Sequence, residues 1–502
     1  RRQQYHQQIA KVLQGGGGFQ PELVAHHYTE AGLPEKAIDY WHRAGQRALE
    51  RSANVEGIRH ITQGLAALEK LSTNASTREL EATAQRELEL QTILGSALIA
   101  TKGYAASEVE VAYTRARELL EALESKESTL ERDADSSLDR IKDLRFPILF
   151  GLWLSHLVRG RFLSARELGE QCFVIAKQTE DPAFEVEAHR ALGSTLYYLS
   201  EFKDALAHLE AGIKLYQPQH HPVPTFLHFV ADPGMTLLSY SAPLLWSLGY
   251  PMQAEGRLAE AARIGKDRSH PFSDAVLLHF KTMLYQHQDE TEKVETTATQ
   301  MLQICQEHGF SLWEAAATVM KGWALTELNH SEEGIAMIRK GIAAWEKTRA
   351  ELQLPLFLAL LAQAYQRAGQ YTLALQTLDS ALSVVTRTGE RAYDAELTRQ
   401  KGELCLVLGR ETEAVGGKDT TSTVAKAESY FQEALAIARR QGAKSWELRA
   451  ALSLSELWCK QDRYREAYNL LSPIYLWFSE GYDTKDLQQA KHLLEKLQET
   501  TK

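Results

Sequence analysis

Cysteine and proline are scarce in this chain, which has four of the first and thirteen of the second in 502 residues. Cys172, Cys305, Cys405 and Cys459 stand far apart, each inside an apolar helical pattern. They form no CxxC or Cys/His pairing, which speaks against a zinc knuckle or a disulfide framework and suits a reducing cytoplasm. So few prolines, with Ala, Leu, Glu, Gln and Arg abundant, argue against a β-rich catalytic domain. Positive charge is not in excess either. Against 66 Asp+Glu stand 56 Lys+Arg, a net charge of −10, which removes any chain-wide electrostatic case for nucleic acid or an anionic membrane. Long apolar runs are missing as well: the longest, 146–158, is interrupted by Ser155 and His156 and is too short to span a bilayer. The opening residues, Arg1-Arg2-Gln3-Gln4, carry no initiator Met and no signal-peptide pattern, as expected of a piece of a longer chain.

What is present is helical periodicity almost from end to end. From Pro34, set at a helix start where its missing N–H costs nothing, apolar residues follow at three- and four-residue steps: Ala37, Tyr40, Trp41, Ala44 and Ala48. Ile58, Ile61, Leu65 and Leu68 form the next stripe. Such helices, joined by short turns, make αα-hairpins, and the hairpins repeat. A small residue on a first helix precedes a small residue on the second by twelve positions, and a large apolar residue follows four later. Gly193 leads to Ala205 and Leu209, Ala242 to Ala254 and Leu258, Gly322 to Gly334 and Ile338, Ala362 to Ala374 and Leu378, Ser455 to Ala467 and Leu471. Small side chains let two antiparallel helices approach, and the large one fills the gap across their interface. One hairpin cannot bury its apolar faces alone, so hairpins must stack. The expected fold is therefore all-α, a right-handed superhelix (α-solenoid) of tetratricopeptide-like helix-turn-helix repeats of about 40 residues, the spacing of Gly322, Ala362 and Gly402.

Two stretches break the array: the Pro- and His-rich connection 217–233, and a polar insertion, 409–423, expected to be an exposed loop. The expected organisation is a joining segment at 1–77, a first repeat block at 78–216, the connection at 217–233, a second block at 234–483 and a capping helix at 484–502.

Motifs that carry chemistry are not found. Gly15-Gly16-Gly17-Gly18 is followed by Phe19-Gln20-Pro21 rather than the Lys and Ser or Thr of a phosphate loop, so it reads as a linker. His220, His221, His228 and Asp232 match no metal-ligand spacing. HExxH, GxSxG and GxGxxG do not occur. No enzyme activity, cofactor or metal is expected. A binding surface remains. Stacked hairpins place their first helices on the concave side, and counting from the small packing position selects Arg190, Tyr197, Trp246, Trp323, Glu327, Gln363, Gln366, Arg367, Glu396, Arg399 and Glu403 as its lining. Aromatics, amides and paired charges suit a protein, a peptide or a small polar ligand. Trp323 also suits repeat core, and the Arg/Glu ladder also suits mutual salt bridges.

Several stretches go beyond the generic repeat: Ala25-His26-His27-Tyr28 with Glu35-Lys36-Ala37-Ile38-Asp39-Tyr40-Trp41, Asp232-Pro233-Gly234 with Leu248-Gly249-Tyr250-Pro251, His270-Pro271-Phe272-Ser273, Gly322-Trp323-Ala324-Leu325, Leu360-Leu361-Ala362-Gln363-Ala364-Tyr365, Thr388-Gly389-Glu390-Arg391, and Lys401-Gly402-Glu403-Leu404. Together they resemble the C-terminal tetratricopeptide-repeat region of bacterial AAA/STAND-type signalling ATPases, often fused to an adenylate/guanylate cyclase domain. The resemblance implies a cytoplasmic, non-catalytic sensing and protein-interaction arm whose partners include upstream ATPase and cyclase domains of the same chain. It carries over no binding residue, and a free-standing scaffold for protein or peptide partners is the alternative.

Overall fold

The computed structural model describes residues 1–502 apart from 16–19, 52, 72–76, 128–135, 221–230, 415–419 and 501–502. Among the described residues there are 23 α-helices and no strand. The chain is an α-solenoid of tetratricopeptide-like helix–turn–helix repeats. Successive hairpins are Pro182–Tyr198 with Phe202–Leu215, Pro233–Ser247 with Pro251–Arg268, Pro271–His287 with Thr291–His308, Ser311–Glu327 with Ser331–Lys347, and Leu354–Arg367 with Tyr371–Thr388. The small-residue code acts as its spacing implies. A Cβ on Gly322 would lie 2.8 Å from the Gly334 carbonyl oxygen, and one on Gly193 would lie 2.7 Å from the Leu209 side chain.

The turn inside each hairpin is also a repeat. Left-handed residues stand at Gly160, Ser200, Gly249, Asp289, Asn329 and Gly369, forty apart except across the 217–233 connection. Each turn carries the same pair of backbone bonds that closes a Schellman motif, such as Asn329 N to Thr326 O at 3.1 Å and His330 N to Leu325 O at 2.9 Å. Gly, Asn, Asp and Ser fill these positions because they tolerate positive φ at least cost.

Successive turns of the superhelix touch. The carbonyls that end the inner helices have no intrahelical partner, and here the chain four to five repeats further on supplies a donor. Thr101 O accepts from Ser311 Oγ at 2.8 Å, 210 residues away. Val158 O accepts from Glu351 N at 2.9 Å and Leu352 N at 3.1 Å, and Tyr198 O from Arg391 N at 2.7 Å. Trp246 O accepts from Ser445 Oγ at 2.5 Å across 199 residues, and His287 O from the Arg449 guanidinium. Inner helices that end on this seam are buried all round: in Pro233–Ser247 nearly every side chain is out of solvent. One continuous apolar core runs from Leu88 to Trp446.

Two irregular segments differ from their expected form. Helices Asp394–Ala414 and Thr420–Gln441 both run into the expected 409–423 loop, and Gly409 lies against Thr423. Hairpin packing extends there because a small residue again faces the partner helix, so that the two helices grow longer; 415–419 lie outside the described residues. In 217–233, a short 3₁₀ turn at Pro218–His220 is followed by 221–230, outside the described residues. Its end is anchored by buried Asp232, which accepts from Met235 N at 2.8 Å as a helix cap and from the Tyr216 hydroxyl at 2.9 Å. The C-terminal helix Lys485–Thr500 buries Leu487, Ala490, Leu494 and Leu497.

Glycine substitutions separate the seam from the turn. Gly249 (φ +94) has Trp477 of the next superhelical turn 2.6 Å from its would-be Cβ, whereas nothing lies within 4 Å of that point at Gly369 (φ +71). Both replacements by Ala strain the backbone, by about 1 kcal/mol. Gly249→Ala also overpacks the seam and is expected to cost about 1–3 kcal/mol more than Gly369→Ala in urea unfolding; equal losses would mean that the turns do not press together at Gly249.

Candidate functional site

Two regions of the concave side differ in character. Near the superhelix axis the seam seals an aromatic chamber. Tyr198 meets Tyr240 edge-on at 6.2 Å, Tyr240 packs on Phe280 at 4.4 Å, and Trp313 lies 5.0 Å from His279. The space left among them and Trp345 is about 30 Å³, room for one or two waters. His279 Nε2 donates to Gln353 Oε1 at 3.0 Å, while Gln353 Nε2 donates to the Tyr198 hydroxyl at 3.0 Å. Burial drives the His279 pKa down to about 4, so the ring is neutral.

Arg190 belongs to this chamber. It is buried against Glu187, with its guanidinium 4.6 Å from the Phe150 ring centre. Burial raises Glu187 to about 7, and Arg190 opposes that rise. Tyr197 is buried between Tyr198 and Phe202. Trp246 lies 4.6 Å from Trp446 and carries the Arg449 guanidinium over its face at 5.1 Å. These three side chains, together with Trp323 and Glu396, are buried rather than lining an open groove. The next superhelical turn or the next repeat covers them.

Further along, the concave side is polar and partly open. Trp323 Nε1 donates to Gln363 Oε1 at 3.0 Å, and Arg367 pairs with Glu327, each partner forty residues on. Gln366 is half-buried one turn beside them. Arg399 donates to both oxygens of Glu396, at 2.8 and 2.7 Å, pairs with Glu403 and reaches Ser453 Oγ at 3.1 Å. Burial pushes the Glu396 carboxyl up, but Arg399 outweighs it and holds the pKa below normal. At Glu327 burial outweighs Arg367 and the pKa rises. The structure thus brings together Trp323, Glu327, Gln363, Gln366 and Arg367 as one set and Glu396, Arg399 and Glu403 as another. Arg190, Tyr197 and Trp246 lie apart from both.

Sequence reasoning missed the polar residues that complete this side. Arg449 donates from Nε to Asp486 Oδ2 at 2.9 Å, and the Tyr393 hydroxyl bonds His287 Nε2 at 2.7 Å. Glu390, 1 % exposed, accepts from Gln353 N at 3.1 Å through one oxygen. No local pattern marks them, because their partners are remote in the chain. Among the described residues no group of three or more His, Cys, Asp and Glu is placed to hold a metal ion; the His220 side chain, His221 and His228 lie outside them, as do Gly16, Gly17 and Gly18. No described helix is long and apolar enough to cross a membrane.

No family model matches the chain. An uncharacterized protein of Rhizobium meliloti (strain 1021) is 22% identical over 438 residues, covering 86% of this chain and 39% of that protein. The chain thus spans about two-fifths of the length of this curated relative. Among solved structures it is similar to the Rap protein complexed with competence and sporulation factor, at 12% identity and a TM-score of 0.46 over 71% of this chain and 98% of that one. It is also similar to a chain of the APC/C hetero-tetramer Cut9–Hcn1, at 11% identity and a TM-score of 0.43 over 99% and 93%. Yeast Tom70 gives 11% identity and a TM-score of 0.35 over 99% and 96%.

Glu390 makes the seam sensitive to pH. Burial raises its pKa to about 8, opposed by the Gln353 N–H. A carboxyl whose folded pKa is raised favours the folded state most below its unfolded value near 4.5, and that advantage falls away until the pH passes the folded value. Urea midpoints of the wild type are therefore expected to fall between about pH 5 and 8 more steeply than those of Glu390→Gln. Parallel curves would place the carboxyl in water.

Proposed function

We propose that this chain is a non-catalytic helical-repeat module that recognises a protein or peptide, or a small polar ligand, on the open polar part of its concave side. The observation that carries this reading is the forty-residue ladder in which Arg367 meets Glu327 and Gln363 is held beside them by buried Trp323, which sets matched polar side chains on neighbouring inner helices. Adjacent packed helices lie about 8–10 Å apart, and an extended peptide rises about 3.3 Å per residue. A ladder with that step therefore meets roughly every third residue of an extended segment. Its mixture of carboxylate, guanidinium and amide groups supplies both donors and acceptors for a peptide backbone.

The finer reading makes the module the ligand-sensing arm of a longer bacterial signalling ATPase, with ATPase and cyclase domains in the same chain. Its support is the motif resemblance together with a relative more than twice as long as the stretch it shares. A ligand would act by favouring one superhelical curvature over another, since a ligand shifts an equilibrium by its difference in affinity for the two states. The repeat blocks at 78–216 and 234–483, with 1–77 and 484–502 at their ends, are part of the same proposal. A free-standing scaffold uses the same ladder and differs in having no domain to switch.

Selection from a random peptide library on the purified chain tests the site. A defined consensus is expected, with affinity lost at least tenfold in Arg367→Glu and in Glu403→Lys. Selection without a consensus, or a consensus bound equally by both variants, rules the ladder out as the site. ATP hydrolysis by the same chain is expected at the level of buffer; turnover above it would falsify the non-enzymatic reading.

A further inference from the structure

A second site lies where the two superhelical turns meet on the outside of the seam. Thr101, Lys102, Ser107 and Glu108 from one turn face Gln306, Glu314, Lys340, Lys347 and Arg349 from the next, around a cleft of about 610 Å³. One stripe of helix Ser331–Lys347 faces it: Met337, Lys340, Ala344 and Lys347, at steps of three and four. The two lysines are seven residues apart, two helical turns or about 10 Å, with Met337 and Ala344 as an apolar floor beside Leu302 and Ala315. Arg349 follows the helix in a left-handed conformation (φ +64), in the segment that the Val158 carbonyl holds through Glu351 and Leu352.

Charge in this cleft is not balanced locally. Lys102 is paired with Glu108 at 2.5 Å. Glu314 accepts a long hydrogen bond from Gln306 at 3.4 Å. Lys340, Lys347 and Arg349 are exposed and have no carboxylate partner among the described residues. With four cations to two carboxylates, the cleft is positive in a chain whose net charge is −10. A cleft of similar size, about 680 Å³, between the helices Ser107–Glu127, Ser136–Val158 and Phe162–Thr179 has its cations neutralised, Arg145 by Glu124 and Arg117 by Glu121. The seam cleft differs from it in leaving Lys340, Lys347 and Arg349 without such partners among the described residues.

We propose that the seam cleft binds a small organic dianion with an apolar body, its charged group held by Lys340, Lys347 and Arg349 and its body on Met337, Ala344 and Ala315. Two lysines and an arginine supply charge-assisted hydrogen bonds from several directions to a dianionic head. The apolar floor distinguishes such a ligand from a bare inorganic anion. Thr101, Lys102, Ser107 and Glu108 of the other superhelical turn form the far wall of the cleft and limit the size of the ligand it admits. The site is separate from the concave ladder, and its test does not depend on the ladder's function.

The probe is 1-naphthyl phosphate, titrated calorimetrically into the full chain, with inorganic phosphate and 1-naphthol as its two halves. One-to-one binding of 1-naphthyl phosphate, at least tenfold tighter than either half, is expected. Lys340→Glu with Lys347→Glu should weaken it at least tenfold, while Lys203→Glu with Lys214→Glu, the same charge change on exposed lysines elsewhere, should leave it within about twofold. All four positions are exposed, and a melting curve confirms that each variant is folded. No binding to the wild type, an unchanged affinity in the cleft variant, or an equal loss in both variants would overturn the proposal.

Discussion

The arrangement depends on the hydrogen bonds that end the inner helices. A helix leaves its last carbonyls without intrahelical partners, and an unpaired buried carbonyl costs about 1–3 kcal/mol. In an open solenoid water would meet that need. Here Thr101, Val158, Tyr198 and His287 each give a carbonyl to groups that the chain brings round four to five repeats later, and Trp246, whose carbonyl also accepts from Gly249 N in its own turn, takes a second donor from Ser445. Each contact is worth about 1 kcal/mol net. Neighbour-to-neighbour stacking alone makes a spring; the seam adds a second set of contacts that fixes the pitch.

Closing the seam divides the concave side. Where the turns meet, aromatic side chains fill the axis and leave space for little more than water. Away from it, Arg399 and Glu396 form a largely buried ion pair that reaches solvent through Glu403, and the Glu327–Arg367 pair reaches it through Arg367. The Arg449 guanidinium joins the two parts, reaching the His287 carbonyl on one side and Asp486 of the C-terminal helix on the other.

Much of this was legible in the chain. The hairpin code at Gly322, Gly334 and Ile338 is local, because the residues that pack are twelve and four positions apart. The left-handed turn positions could also have been found, since Gly160, Ser200, Gly249, Asp289, Asn329 and Gly369 suit positive φ and recur every forty residues on either side of the 217–233 connection. Counting along the helices selected Trp323, Gln363, Glu327 and Arg367 for one face, and in the structure they meet because adjacent repeats share one phase. The same count put Arg190, Tyr197 and Trp246 on the concave side but left them facing solvent. Nothing near them in the chain says otherwise, apart from the almost wholly apolar inner helix that holds Trp246.

By itself, the sequence determined the helices, their pairing and the direction of each face, since these follow from residues within one repeat of each other. Tertiary structure decided which faces meet water. Solvent access at Trp246 or Tyr198 is set by Trp446 and Arg391, about two hundred residues away, and a contact at that distance exists only once the accumulated rotation of five repeats has brought the chain back upon itself.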